Sequence, residues 1–124
     1  MSYKVLIADD EPNIVVSLEF LMKREGHEVS IARDGQQALD LIRSLRPDLV
    51  LLDVMMPLKS GFEVLQAVRA DEAIAGTKIL MLTAKGREND SAKGLALGAD
   101  AYMTKPFSTR ELAGRVRQML TGPA

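Results

Sequence analysis

Residues 49–61 read Leu49-Val50-Leu51-Leu52-Asp53-Val54-Met55-Met56-Pro57-Leu58-Lys59-Ser60-Gly61. Four consecutive large aliphatic residues leave no polar face, so the run is expected to form a strand covered on both sides. It stops at a carboxylate and passes into a loop punctuated by Pro57 and Gly61. A helical stripe follows at Phe62, Leu65 and Val68.

The same strand–loop–helix unit recurs in both directions. Val5 to Ala8 is apolar and ends at Asp9-Asp10-Glu11-Pro12, from which a stripe runs through Ile14, Leu18 and Leu21 to a stop at Gly26. Val29 and Ile31 alternate with Glu28, Ser30 and Arg33 as a half-exposed strand. Asp34 is placed to cap a helix carrying Ala38, Leu41, Ile42 and Leu45, which Pro47 stops. His27, in the turn after Gly26, is expected to be exposed and outside any site.

Downstream, Ile79 to Leu82 is the next apolar run, ending at Thr83. The helix after it is the weakest. Its Ala92, Leu95, Ala96 and Leu97 are small or clustered, and Gly94 inside it costs about 1 kcal/mol relative to Ala. Ala101 to Thr104 is a mixed strand ending at Lys105-Pro106. The last helix starts near Ser108, with Glu111 placed for a capping box, and is expected to bury Leu112, Val116, Met119 and Leu120.

Five strands alternating with five helices imply one α/β domain over 1–124, a parallel sheet with helices on both faces. The first, third and fourth strands are wholly apolar, whereas the second and fifth are mixed, as edge strands are. That sorting suits the doubly wound order 2-1-3-4-5, the flavodoxin-like (βα)5 arrangement.

Composition narrows the function. Sixteen Lys and Arg against seventeen Asp and Glu leave a formal net charge of −1, which argues against nucleic acid or an anionic membrane as the main partner. With no Cys there is no disulfide framework, thiol nucleophile or Cys-ligated metal. No apolar run is long enough for a signal peptide or membrane span, so a cytoplasmic location is expected.

In doubly wound sheets the ligand site lies at the carboxyl ends of the strands, where strand order reverses. Those ends carry Asp9 and Asp10, Asp53, Thr83 and Lys105. Crowded carboxylates repel one another until a cation intervenes. An all-oxygen donor set without His or Cys suits Mg²⁺ rather than zinc. With the ion bound, one carboxylate can attack phosphorus and form an aspartyl phosphate. Asp53, alone at the end of a central strand, is the nucleophile candidate. Asp9 and Asp10 sit side by side where a metal clamp would be expected, and the Met55 carbonyl could turn inward as a further ligand. Lys105 and Thr83 would contact the phosphoryl oxygens. Singly, each residue has a plainer reading as a cap, a turn or a solvated charge, and Asp10-Glu11 before Pro12 could simply complement the helix dipole.

At this point the chain resembles the receiver domain of bacterial two-component response regulators, the CheY-like family, from Val5 to about Leu120. The resemblance rests on VLIADDEP, LVLLDVMMPLKSGFEVL, ILMLTA and YMTKPFSTREL. It implies that Asp53 is the phosphorylated aspartate. Asp9 and Asp10 would be the Mg²⁺-binding pair, with Asp10 the direct ligand beside the Met55 carbonyl. Thr83 and Lys105 would be the switch hydroxyl and the phosphate-binding lysine. Tyr102 would be the aromatic that turns inward on activation, and Lys105-Pro106 a cis bond. Pro57 and Gly61 match the loop after the acceptor. Met55 and Lys85 occupy variable positions that tune phosphoryl lifetime.

The resemblance further implies a phosphoryl donor that is a sensor histidine kinase or phosphotransfer protein. The output surface would be the fourth helix, fifth strand and fifth helix, contacting an effector protein or domain or serving a homodimer. Enzymatic activity would be limited to assisting the chain's own phosphorylation and dephosphorylation. Only Thr121-Gly122-Pro123-Ala124 follows Leu120, so the effector is expected outside this chain. The alternative is a receiver-like interaction scaffold that is never phosphorylated. Other enzymes of this fold fit poorly: GxGxxG and GxxxxGK[ST] are absent, and a flavin carrier would want a Ser/Thr-rich loop where this chain has carboxylates.

Overall fold

The computed structural model describes residues 2–84 and 88–121. Its elements alternate as expected: β1 (Lys4–Ala8), α1 (Pro12–Arg24), β2 (Glu28–Ala32), α2 (Gly35–Leu45), β3 (Leu49–Asp53), α3 (Gly61–Ala70), β4 (Lys78–Ala84), α4 (Glu88–Ala96), β5 (Ala101–Lys105) and α5 (Thr109–Thr121). The five strands form one parallel sheet in the order β2-β1-β3-β4-β5. The α/β, flavodoxin-like expectation is met.

Strand alternation sorts the core into two layers. Val5, Ile7, Leu49, Leu51, Leu80 and Leu82 face α1 and α5, where Leu18, Leu21, Met22, Leu112 and Val116 meet them. Leu6, Ala8, Val50, Leu52, Ile79 and Met81 face the other way, onto Leu39, Ile42, Val64, Leu65 and Val68. Because both faces are covered, β3 is buried at every residue, whereas β2 and β5 are only partly so. Among the described residues no helix is long and apolar enough to cross a membrane.

The structure amends several side chains. Val15, Met22 and Leu39 are buried although the stripes omitted them, while Ile14, Leu41 and Met119 are half-buried and Leu45 is 37% exposed. Helices α1, α2 and α5 therefore sit on the sheet turned slightly from the stripes drawn from their largest residues. His27 is not exposed. It is half-buried, its Nδ1 accepts a hydrogen bond from the Tyr3 N–H at 3.3 Å, and its ring packs against Tyr3. At α5, the Glu111 N–H donates to Ser108 Oγ at 3.0 Å, one half of the expected box.

The fourth helix is weak for the expected reason. Among the described side chains of α4, Gly94 alone is buried, and Leu95 is 44% exposed. What anchors its far end is polar. Arg69 of α3 donates to the Gly98, Ala75 and Thr77 carbonyls and pairs with Asp100 at 3.0 Å. Asp100 in turn accepts from the Ile79 N–H.

Candidate functional site

The rim at the carboxyl ends of β1, β3, β4 and β5 is built by chain termination. Each strand carries its polar side chain at or within a residue of its end, and parallel pairing puts those ends side by side. Asp9 follows β1, with its N–H on the Ala32 carbonyl. It is fully buried. Its Oδ1 accepts from the Glu11 N–H at 2.9 Å and its Oδ2 from the Lys105 ammonium at 2.9 Å. Asp10 stands exposed beside it. Asp53 closes β3 opposite Leu82 and is 5% exposed.

One oxygen from each of Asp9, Asp10 and Asp53 lies within 4.8 Å of the others. Lys105, the last residue of β5, reaches across the end of β4 to within 3.4 Å of Asp53 Oδ1. The bond from Lys105 to Pro106 is cis, as expected.

The loop after β3 holds Asp53 in place. The Val54 N–H bonds to the Leu82 carbonyl and the Gly61 N–H to the Val54 carbonyl. A Cβ on Gly61 would sit 2.3 Å from the Asp53 carbonyl oxygen, so only glycine permits this close approach. Ser60 and Glu63 then form a full capping box that starts α3; its Ser-x-x-Glu spacing was available in the sequence. Leu58 holds φ +69° and is 77% exposed.

Electrostatics follow from this packing. Burial first, and the Asp9 charge second, push the Asp53 carboxyl up from 3.8 to about 6, against the pull of Lys105 and a hydrogen bond from the Met55 backbone. Burial by itself would lower the Lys105 pKa, but its hydrogen bond to Asp9 and the charges of Asp53 and Asp9 raise it overall. A lysine so held stays charged. Two buried carboxylates, Asp9 and Asp53, therefore share a single ammonium with the exposed Glu11.

The donor set fits Mg²⁺. It is all oxygen, and oxygens bound directly to one octahedral Mg²⁺ lie within about 4.2 Å of each other. The three carboxylate oxygens, all within 4.8 Å of one another, are close enough to gather round one such ion. Thr83, on β4 opposite Thr104, is 1% exposed, and its Oγ1 has no partner among the described residues. Such a hydroxyl costs about 1–3 kcal/mol unless an acceptor arrives. Two grooves of 320 and 270 Å³ beside Tyr3 contain none of these residues.

The structure thus brings together Asp9, Asp10, Asp53 and Lys105, and leaves Thr83 buried at the end of the next strand. Met55 is 56% exposed in the adjoining loop, and Tyr102 stands 41% exposed on the edge strand. Lys85 lies outside the described residues. One participant was missed: Glu11 pairs with Lys105 at 3.1 Å instead of serving its helix end. Adjacency to Asp10 was its only signal.

Residues 5–117 match the family model described as response regulator receiver domain. The chain belongs to that family. Such receivers are phosphorylation-regulated domains of two-component signalling, and they generally bind Mg²⁺ at an acidic pocket. This receiver is similar to a candidate response regulator from Chloroflexus aurantiacus J-10-fl, at 34% identity and a TM-score of 0.93, covering 98% of this chain and 100% of that one. It is also 34% identical to the chemotaxis response regulator CheY4 of Vibrio cholerae, with a TM-score of 0.89 over 97% of this chain and 100% of that one. The BeF3-activated DrrB receiver domain shares 30% identity, with a TM-score of 0.87 over 98% of this chain and all of that one.

Proposed function

We propose that this receiver is a switch whose input is phosphorylation of Asp53 by a phosphohistidine on a sensor kinase or phosphotransfer protein. The Asp53 carboxylate attacks phosphorus as the phosphorus–nitrogen bond to the imidazole breaks. The imidazole leaves with the electron pair and takes a proton, and an acyl phosphate remains on Asp53. Asp10, Asp9, Asp53 and the Met55 carbonyl would hold Mg²⁺, which supplies charge neutralisation for the phosphoryl oxygens. Lys105 donates to one phosphoryl oxygen and Thr83 to another, giving its hydroxyl the acceptor it lacks in the resting state.

As Thr83 moves toward the phosphoryl group, Tyr102 turns into the space it leaves, and α4 shifts with it. The face of α4, β5 and α5 then carries the signal to an effector protein or domain, or to a second receiver. The chain is not a conventional enzyme, because the phosphoryl group it takes stays on its own Asp53. Work beside the cytoplasmic portion of a kinase places it in the cytoplasm.

One observation carries this reading: three carboxylates and a charged lysine converge where the sheet reverses its strand order. Intact mass after incubation with acetyl phosphate tests it, with and without Mg²⁺ and with Asp53→Asn as control. One added phosphoryl group, dependent on Mg²⁺ and absent from the variant, is expected. No gain from acetyl phosphate or from a panel of histidine kinases would leave the unphosphorylated scaffold in its place.

A further inference from the structure

Lys105 has three N–H bonds to give, and three carboxylates face its Nζ: Asp9 at 2.9 Å, Glu11 at 3.1 Å and Asp53 at 3.4 Å. The first is fully buried and the third is the proposed acceptor. Glu11 differs from both. It lies outside the carboxylate cluster, and its side chain is 59% exposed. It occupies the N-cap position of α1, where a short acidic side chain ordinarily accepts from the helix end. Here no such cap bond forms, and Pro12 at the first helical position has no N–H to offer. Lys105, in β5, is the one partner of the Glu11 side chain among the described residues.

We infer that Glu11 is a positioning residue that holds the Lys105 ammonium toward α1 and competes for it with the phosphoryl group on Asp53. The inference rests on the acceptor reading above and goes beyond it. When new anionic oxygens arrive on Asp53, the ammonium must move from α1 toward the acceptor to bind one of them. Asp9 is fully buried, and its Oδ1 is held in place by the Glu11 N–H. Glu11 can swing into water, so it is the partner that yields. An exposed ion pair of this kind is weak, and the competition it sets is about two- to fivefold in affinity.

The experiment measures the affinity of beryllofluoride, an acyl-phosphate mimic, at saturating Mg²⁺ by NMR titration. It compares the wild type with Glu11→Gln and Glu11→Asp. The first variant removes the charge. The second keeps the charge but draws it back by one methylene, out of reach of Nζ. Both are expected to bind beryllofluoride about two- to fivefold more tightly than the wild type.

Tighter binding in Glu11→Gln alone would mean that the charge acts through space, and would overturn the inference. So would unchanged affinity in both. A wild type that binds no beryllofluoride would sink the acceptor reading, and this inference with it. A wild type that binds while both variants match it sinks only the role of Glu11.

Discussion

Asp53 carries the resting-state cost of this site. Its carboxyl is pushed up to about 6 by burial and by Asp9, so the metal-free fold resists ionising it. A raised carboxyl contributes stability that is full below its unfolded value of 3.8 and is lost as pH rises through 6. That loss amounts to about 3 kcal/mol at most. Asp53→Asn removes it. In metal-free urea denaturation the variant should match the wild type within about 1 kcal/mol near pH 4, and exceed it by about 1–3 kcal/mol at pH 7.5. Parallel pH profiles would show that Asp53 is not strained.

Thr83→Val tests the orphaned hydroxyl in the same way. Replacing a buried, unpartnered O–H by a methyl of similar shape should raise resting stability by about 1 kcal/mol. The cost appears after phosphorylation, as loss of the shift in the Tyr102 amide resonance. A destabilised Thr83→Val would reveal a resting partner for the hydroxyl.

At the scale of elements, two glycines with opposite surroundings separate a rigid part from a yielding one. Gly61 starts α3 with the Asp53 carbonyl 2.3 Å from where a Cβ would stand. Backbone has to move to admit a methyl, so Gly61→Ala should cost about 2 kcal/mol or more and slow phosphorylation of Asp53. Gly94 lies in α4, and the nearest atom to its would-be Cβ is Met81 Cγ at 3.4 Å. Gly94→Ala should therefore stabilise the chain by about 0.5–1 kcal/mol in chemical denaturation. If α4 must shift to signal, the same variant should blunt the phosphorylation-dependent resonance changes on α4 and β5. The loop after β3 is braced and α4 is loose, and on the proposed function each condition suits its task.

For the whole molecule, Mg²⁺ held as proposed would link the rim to global stability. An ion that binds only the folded chain adds about 2.7 kcal/mol at a hundredfold excess over its Kd, read as a rise of several degrees in Tm. The rise should shrink on removing any one of Asp9, Asp10 or Asp53. It should also be larger at pH 7.5 than at pH 5, where protons compete for Asp53. An equal rise in Asp10→Asn would place the ion elsewhere.

Much of this was legible in the residues. Val5 to Ala8, Leu49 to Leu52 and Ile79 to Leu82 are apolar without interruption, which only a doubly covered strand tolerates. The mixed strands at Glu28 and Ala101 had to be edges. From those facts came the strand order, and from the strand order the meeting of Asp9, Asp10, Asp53 and Lys105. Helix rotation was not legible, because Val15 and Leu39 differ from their neighbours in packing rather than in hydrophobicity. Nor was the half-burial of His27, which depends on Tyr3 arriving from the start of β1.

By itself, then, the order of apolar runs and charges determined the fold and the membership of the rim, because local periodicity and crossover handedness leave few other topologies. Only tertiary structure decided how the charges are shared. The shift on Asp53, the unpartnered hydroxyl of Thr83, the Arg69 anchor beneath α4 and the turn of Glu11 toward Lys105 all arise between residues far apart in the chain. They depend on distances of a few ångströms in a medium that screens poorly, and one-dimensional spacing does not encode such distances.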